Sequence, residues 1–150
     1  MTAVVVLAGG LSPERDVSLR SGRRVAAALT DAGVEAHLLD VDSALVPTLQ
    51  AHRPDALIPL LHGAAGEDGA LRDVLDTLGI PYLGYGPAAC RLAFDKPVAK
   101  TLVGATGAAT PDHVALTHAS FRELGATAVL EAVVSRLGLP LMVKPTMGGS

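Results

Sequence analysis

The chain has 150 residues, 49% of them apolar, one cysteine and a formal net charge of −3. That is enough apolar material for one ordinary domain or two small ones, and its scattered basic residues do not point to an electrostatic nucleic-acid binder. Cys90 has no partner for an internal disulfide, and no Cys/His cluster has zinc-ligand spacing. No apolar run approaches the ~18 residues of a membrane span, and the apolar start lacks the positive region of a secretory leader. A cytoplasmic protein with no membrane or nucleic-acid partner is the expectation.

In chain order, "AVVVLAG" (3–9) is dense in valine without polar alternation, which predicts a parallel strand covered on both faces. A polar loop follows, then a helix from about Val17 to Asp31 with Gly33 as its C′ residue. "AHLLDVD" predicts a second strand, and "SALVPTLQAH" a helix weakened by Pro47. "DALIPLLHG" predicts a third strand, and "DGALRDVLDTLG" a helix with Leu71, Val74, Leu75 and Leu78 on one stripe, stopped by Gly79. "IPYLGYG" reads as a fourth strand or a turn. The order β-α-β-α-β-α-β predicts a parallel sheet with right-handed crossovers.

The pattern changes after about Phe94. "DKPVAKTLVGATG" opens with an Asp cap and a proline in the first turn. "DHVALT" predicts a short strand, Leu130, Val133, Val134 and Leu137 a helical stripe, and "LMVK" (141–144) a final strand. A boundary is expected near residue 95, and the second unit has too few elements to close a core alone.

Ligands of open parallel sheets bind beyond the carboxyl ends of the strands. After the first strand stands "GGLSPERDVSLRSG", in which Gly9 and Gly10 permit close backbone approach and Glu14 precedes a helix. That carboxylate either holds an ammonium group or caps its own helix. After the third strand stands "LHGAAGEDG", where His62 either faces a ligand or is a hydrogen-bonded structural residue; Glu67 and Asp68 are expected to tighten the turn. After the last stands Lys144, ahead of Gly148, Gly149 and Ser150, a residue type suited to an anionic phosphate. There is no G-x-x-x-x-G-K-[ST] loop, and the dinucleotide-like run Gly84–Ala89 follows the wrong strand, with no acidic residue at the ribose position. His37, His52, His113 and His118 read as surface or strand-edge residues, and Cys90 as a small apolar one.

Taken together, "GGLSPERDVSLRSG", "LHGAAGEDG", "GIPYLGYG", "FDKPVAK" and "LPLMVKPTMGGS", in this order and spacing, resemble the D-alanine–D-alanine ligase family of the ATP-grasp superfamily, over essentially the whole chain. The resemblance implies an α/β architecture: a Rossmann-like, pre-ATP-grasp parallel sheet over 1–94, forming the amino-terminal substrate domain, then the beginning of an ATP-grasp domain over 95–150. It implies ATP-dependent joining of two D-alanines through an acylphosphate for peptidoglycan synthesis, by a homodimer when full length. Glu14 matches the glutamate that holds the first substrate's ammonium, Val17 a pocket contact, and His62 the histidine beside the reacting carboxyl group. Lys96 and Lys144 match the two lysines that grip ATP phosphates, and Ser150 the catalytic serine that hydrogen-bonds toward Glu14. Magnesium, with manganese as a substitute, is implied with ATP, its ligands lying downstream of residue 150.

Two departures stand out. Family members often carry Gln-Gly or a similar small pair where this chain has Arg72 and Asp73, which bears on local helix packing. The family also continues well past the position of Ser150, so the chain by itself is expected to be inactive. D-alanine–D-lactate or D-alanine–D-serine ligation, and a non-catalytic nucleotide-binding module, are the alternative readings.

Overall fold

The computed structural model describes residues 3–148, which divide into two compact units, one over 3–94 together with Gly148 and the other over Asp95–Met147. In the first unit β1 (Ala3–Ala8) is the central strand of a three-stranded parallel sheet of order β2-β1-β3, with β2 at Glu35–Asp40 and β3 at Ala56–Pro59. Val4 pairs with both Ala36 and Ala56, and Ala8 pairs with Asp40. This register brings the loops after β1, β2 and β3 to one end of the sheet.

The two faces of β1 are covered differently. Helix α1 (Arg15–Asp31) lies against Val6, Ala8 and Leu38, and Gly22 is the reason it comes so close: a methyl group there would stand 2.7 Å from both Ala8 Cβ and Leu38 Cδ1. On the other face Leu7 and Leu57 pack with Leu45 and Leu49 of α2 (Leu45–His52), with Leu61, with Ile80 and with Leu75 of α4 (Ala70–Leu78), which follows the short α3 (Ala64–Glu67). Helix α1 ends in a Schellman closure, with Gly33 at φ 80 while its N–H reaches the Thr30 carbonyl and the Val34 N–H reaches that of Leu29. Pro47 is tolerated because it falls in the first turn of α2, where its missing N–H has no helical acceptor. Val74 leaves the predicted stripe of α4 and is 41% exposed, whereas Leu75 is fully buried.

The expected fourth strand shrinks to one parallel bridge, Leu57 with Tyr82, held by Leu57 N–H to the Pro81 carbonyl and Leu83 N–H to the Leu57 carbonyl. Pro81 has no N–H to extend the ladder, and Gly84 turns the chain away at φ 117. Arg72 and Asp73 now have a physical account. The Arg72 guanidinium lies over the Tyr82 ring, 5.4 Å from its centroid, and donates toward the Leu83 carbonyl. Asp73 pairs with Arg91 of α5 (Pro87–Phe94), a helix not anticipated from the sequence.

The second unit holds α6 (Lys96–Ala105), α7 (His118–Glu123) and α8 (Ala126–Leu137). Asp95 caps α6 by accepting the Val98 N–H at 3.1 Å, and Thr117 caps α7 by accepting the Ser120 N–H at 3.0 Å. The strands expected at "DHVALT" and "LMVK" are not formed. A strand exists only through its neighbour's backbone groups, and among the described residues of this unit the only pairing is the single antiparallel bridge between Asp95 and Met147. No described residue after Ile80 is buried, so the second unit has no core of its own.

Candidate functional site

The loop after β1 is anchored by hydrogen bonds rather than by packing. Gly9 and Gly10 run at φ 90 and 75, which glycine adopts without strain. The Gly9 N–H donates to the buried Ser18 hydroxyl at 2.9 Å, and that hydroxyl donates in turn to the Leu60 carbonyl at 2.7 Å, joining the ends of β1 and β3 through α1. The Gly10 N–H donates to Asp40 Oδ1 at 3.0 Å, and Arg15 Nη1 donates both to the Gly10 carbonyl at 3.0 Å and to Asp40 Oδ1 at 2.9 Å. Asp40 ends β2, so one carboxylate ties the second strand to the first loop. The Arg15 guanidinium, then the Gly10 N–H, hold the Asp40 carboxyl down from its ordinary value of 3.8 to about 2, so it stays charged. Ser18, Arg15 and Asp40 were not singled out from the sequence; a polar residue at a strand end or on an otherwise apolar helix face was the signal available.

Glu14 stands at the N-cap of α1, yet its side chain makes no capping hydrogen bond. Its own N–H donates to the Ser12 hydroxyl at 3.1 Å. The carboxylate is therefore not spent on its helix, and it faces the loop after β3: a methyl group at Gly63 would stand 2.8 Å from Ser12 Oγ and 3.9 Å from Glu14 Cδ. His62 immediately precedes that glycine, and its Nε2 is buried without a hydrogen-bond partner among the described residues. A buried ring nitrogen left unsatisfied costs free energy unless a ligand or water completes it. Val17, one turn into α1, is 45% exposed. The structure thus brings Glu14 and the His62–Gly63 segment together at the carboxyl end of the sheet. The bends beyond it are settled locally, as Asp68 accepts the Ala70 N–H at 2.8 Å ahead of α4.

In the second unit Lys96 is the first residue of α6, and its N–H donates to the Thr146 carbonyl at 3.0 Å. That bond draws the start of α6 alongside the segment just after Lys144, an exposed residue. Ser150 lies outside the described residues. Among the described residues no group of three or more His, Cys, Asp or Glu side chains could hold a metal ion. Two surface concavities of the first unit, one lined by Leu49, Arg53 and Ile80 and the other by Arg24, Val25 and Leu29, lie away from these loops. Among the described residues no helix is long and apolar enough to cross a membrane.

A parallel sheet with α1 on one face, α2 and α4 on the other, and polar groups gathered beyond its strand ends is an α/β unit of the Rossmann-like class. No protein-family model matches the chain. It is 46% identical to the D-alanine–D-alanine ligase of Bordetella petrii over 98% of its own length and 43% of that protein, and 44% identical to that of Desulforudis audaxviator over 97% and 46%. The crystal structure of the Bacillus anthracis D-alanine–D-alanine ligase superposes with a TM-score of 0.80 at 32% identity, over 100% of this chain and 47% of that one. The chain spans less than half the length of these relatives. Over nearly its whole length it is similar to D-alanine–D-alanine ligases.

Proposed function

We propose that the chain is the amino-terminal part of an enzyme that joins two D-alanines at the expense of ATP, in peptidoglycan synthesis in the cytoplasm. The observation that carries this reading is a pair of groups at the sheet end: a Glu14 carboxylate that does not cap its helix and approaches Gly63, and, on the residue before that glycine, a buried His62 ring nitrogen without a hydrogen-bond partner among the described residues. Glu14 holds the ammonium of the first D-alanine and Val17 lines its pocket. His62 stands beside its carboxyl group. One carboxylate oxygen of that substrate attacks the γ-phosphorus of ATP and ADP leaves; the amine of the second D-alanine then attacks the acyl carbon, the peptide bond forms and phosphate leaves. Lys96 and Lys144 supply positive charge to the transferring phosphoryl oxygens. By the resemblance alone, Ser150 is assigned to the catalytic set. A solved relative from Bacillus anthracis, 28% identical with a TM-score of 0.73, is a complex with ATP, which supports ATP as the nucleotide. Magnesium belongs to the reading as ATP's counterion, held by residues other than those described here. The assembly is a homodimer.

The nucleotide-binding module is the weaker reading. In such a module the glycine-loop N–H groups point at phosphate, whereas here Gly9 and Gly10 donate theirs to Ser18 and to an ionised Asp40. The test is an assay of the full-length protein with ATP, magnesium and D-alanine, following ADP release and the dipeptide by mass. D-alanine-dependent ADP release with stoichiometric D-alanyl-D-alanine is expected. Product formed only when D-lactate or D-serine is added would overturn the D-alanine reading.

A further inference from the structure

We propose that Arg15 and Asp40 are positioning residues that set the Glu14 carboxylate for the ammonium of the first amino-acid substrate. The inference rests on the ligase reading above. Residues 11–14 have little apolar anchorage: Leu11 is 100% exposed and Pro13 is exposed as well. What fixes them is a closed ring of hydrogen bonds at the base of the loop. The Gly10 N–H donates to Asp40, Asp40 accepts from Arg15, and Arg15 donates back to the Gly10 carbonyl. The Arg15 N–H also donates to the Ser12 carbonyl at 3.0 Å. Glu14 is the residue immediately before Arg15, so the backbone carrying its carboxylate is pinned from both sides.

The ring leaves no room for a side chain at Gly9. A methyl group at Gly9 would stand 2.2 Å from Asp40 Oδ1 and 2.8 Å from Arg15 Nη1. The pair itself is part-exposed, with side chains 44% and 32% accessible, and such pairs contribute little to global stability. Its effect is therefore local. Losing it frees Glu14 without unfolding the sheet, and a small misplacement of a binding group is enough to weaken a substrate complex.

The test uses the full-length enzyme, with KM measured separately for the first D-alanine, the second D-alanine and ATP, and with thermal unfolding alongside. Arg15→Met and Asp40→Asn are expected to raise the first-site KM about tenfold, with the ATP KM and the melting temperature nearly unchanged. Arg15→Lys reaches only one of the two acceptors and should fall between. Should Arg15→Met fail to fold, the isosteric Asp40→Asn and the Arg15→Lys series carry the same comparison. Glu14→Gln is the parallel control. A raised first-site KM in Glu14→Gln with none in the Arg15 and Asp40 variants overturns the clamp alone. An unchanged KM in Glu14→Gln overturns the role of Glu14 beneath it. A proportional change in all three KM values, together with a lower melting temperature, also overturns the inference, because a general structural role would produce it.

Discussion

The buried Ser18 hydroxyl donates to the Leu60 carbonyl at 2.7 Å while accepting the Gly9 N–H, so a helix side chain joins the ends of two neighbouring strands. Ser18 is 1% exposed. Ser18→Ala leaves the buried Gly9 N–H and the part-buried Leu60 carbonyl unpaired, at a cost of ~1–3 kcal/mol. Urea unfolding followed by circular dichroism should show a lower midpoint with an unchanged slope; an unaltered midpoint would mean that water replaces the hydroxyl at no cost.

Gly63 and Gly33 share nearly the same backbone angle, φ 76 and 80, but not the same surroundings. Nothing lies within 4 Å of a methyl group at Gly33, whereas at Gly63 it meets Ser12 and Glu14. Gly33→Ala should cost only the ~1 kcal/mol of a left-handed alanine. Gly63→Ala should cost more, and should displace the Glu14 loop, seen as shifted Ser12 and Glu14 amide resonances. Equal costs at the two positions would show that the loop yields freely.

Asp40 predicts an acid limb. Its folded-state value lies near 2, below the ordinary 3.8, so its contribution is complete above pH ~4 and is lost as pH falls through ~2. The pair is part-exposed, so this limb is shallow; Asp40→Asn should flatten the dependence of stability on pH in that window, with an equally small loss of stability at neutrality. A parallel acid limb in the variant would assign the transition to other carboxylates.

The lysines and the histidine should separate kinetically in the full-length enzyme. Lys96→Ala and Lys144→Ala are expected to weaken ATP binding at least tenfold, the scale of one charge-assisted contact, whereas His62→Gln should lower turnover with ATP binding retained. Calorimetry with ATP and magnesium reads the difference, and normal ATP affinity in both lysine variants would remove them from the phosphate site.

Much of the first unit was legible because each element carries its own period. The valine run of β1, the glycine stop of α1 at Gly33 and the leucines of α4 are local signals, and they fall in the observed elements. The short α3, α5 and α7 were not, since helices of four to eight residues without a buried stripe have little pattern to detect. The motif residues Glu14 and His62 were visible as residue types at strand ends.

What the amino-acid order alone determined was the parallel α/β arrangement and, through five short motifs in register, the resemblance to D-alanine–D-alanine ligases. Only the tertiary structure decided which groups are spent and which remain for a ligand. Glu14 could have capped α1 and Gly10 could have presented its N–H to a phosphate; Asp40, arriving from another strand, takes that N–H instead. Pairing likewise belongs to partners rather than to segments. "LMVK" has the composition of a strand, but a strand forms only where a neighbouring backbone meets its hydrogen-bonding groups, and residues 95–147 bring none to it.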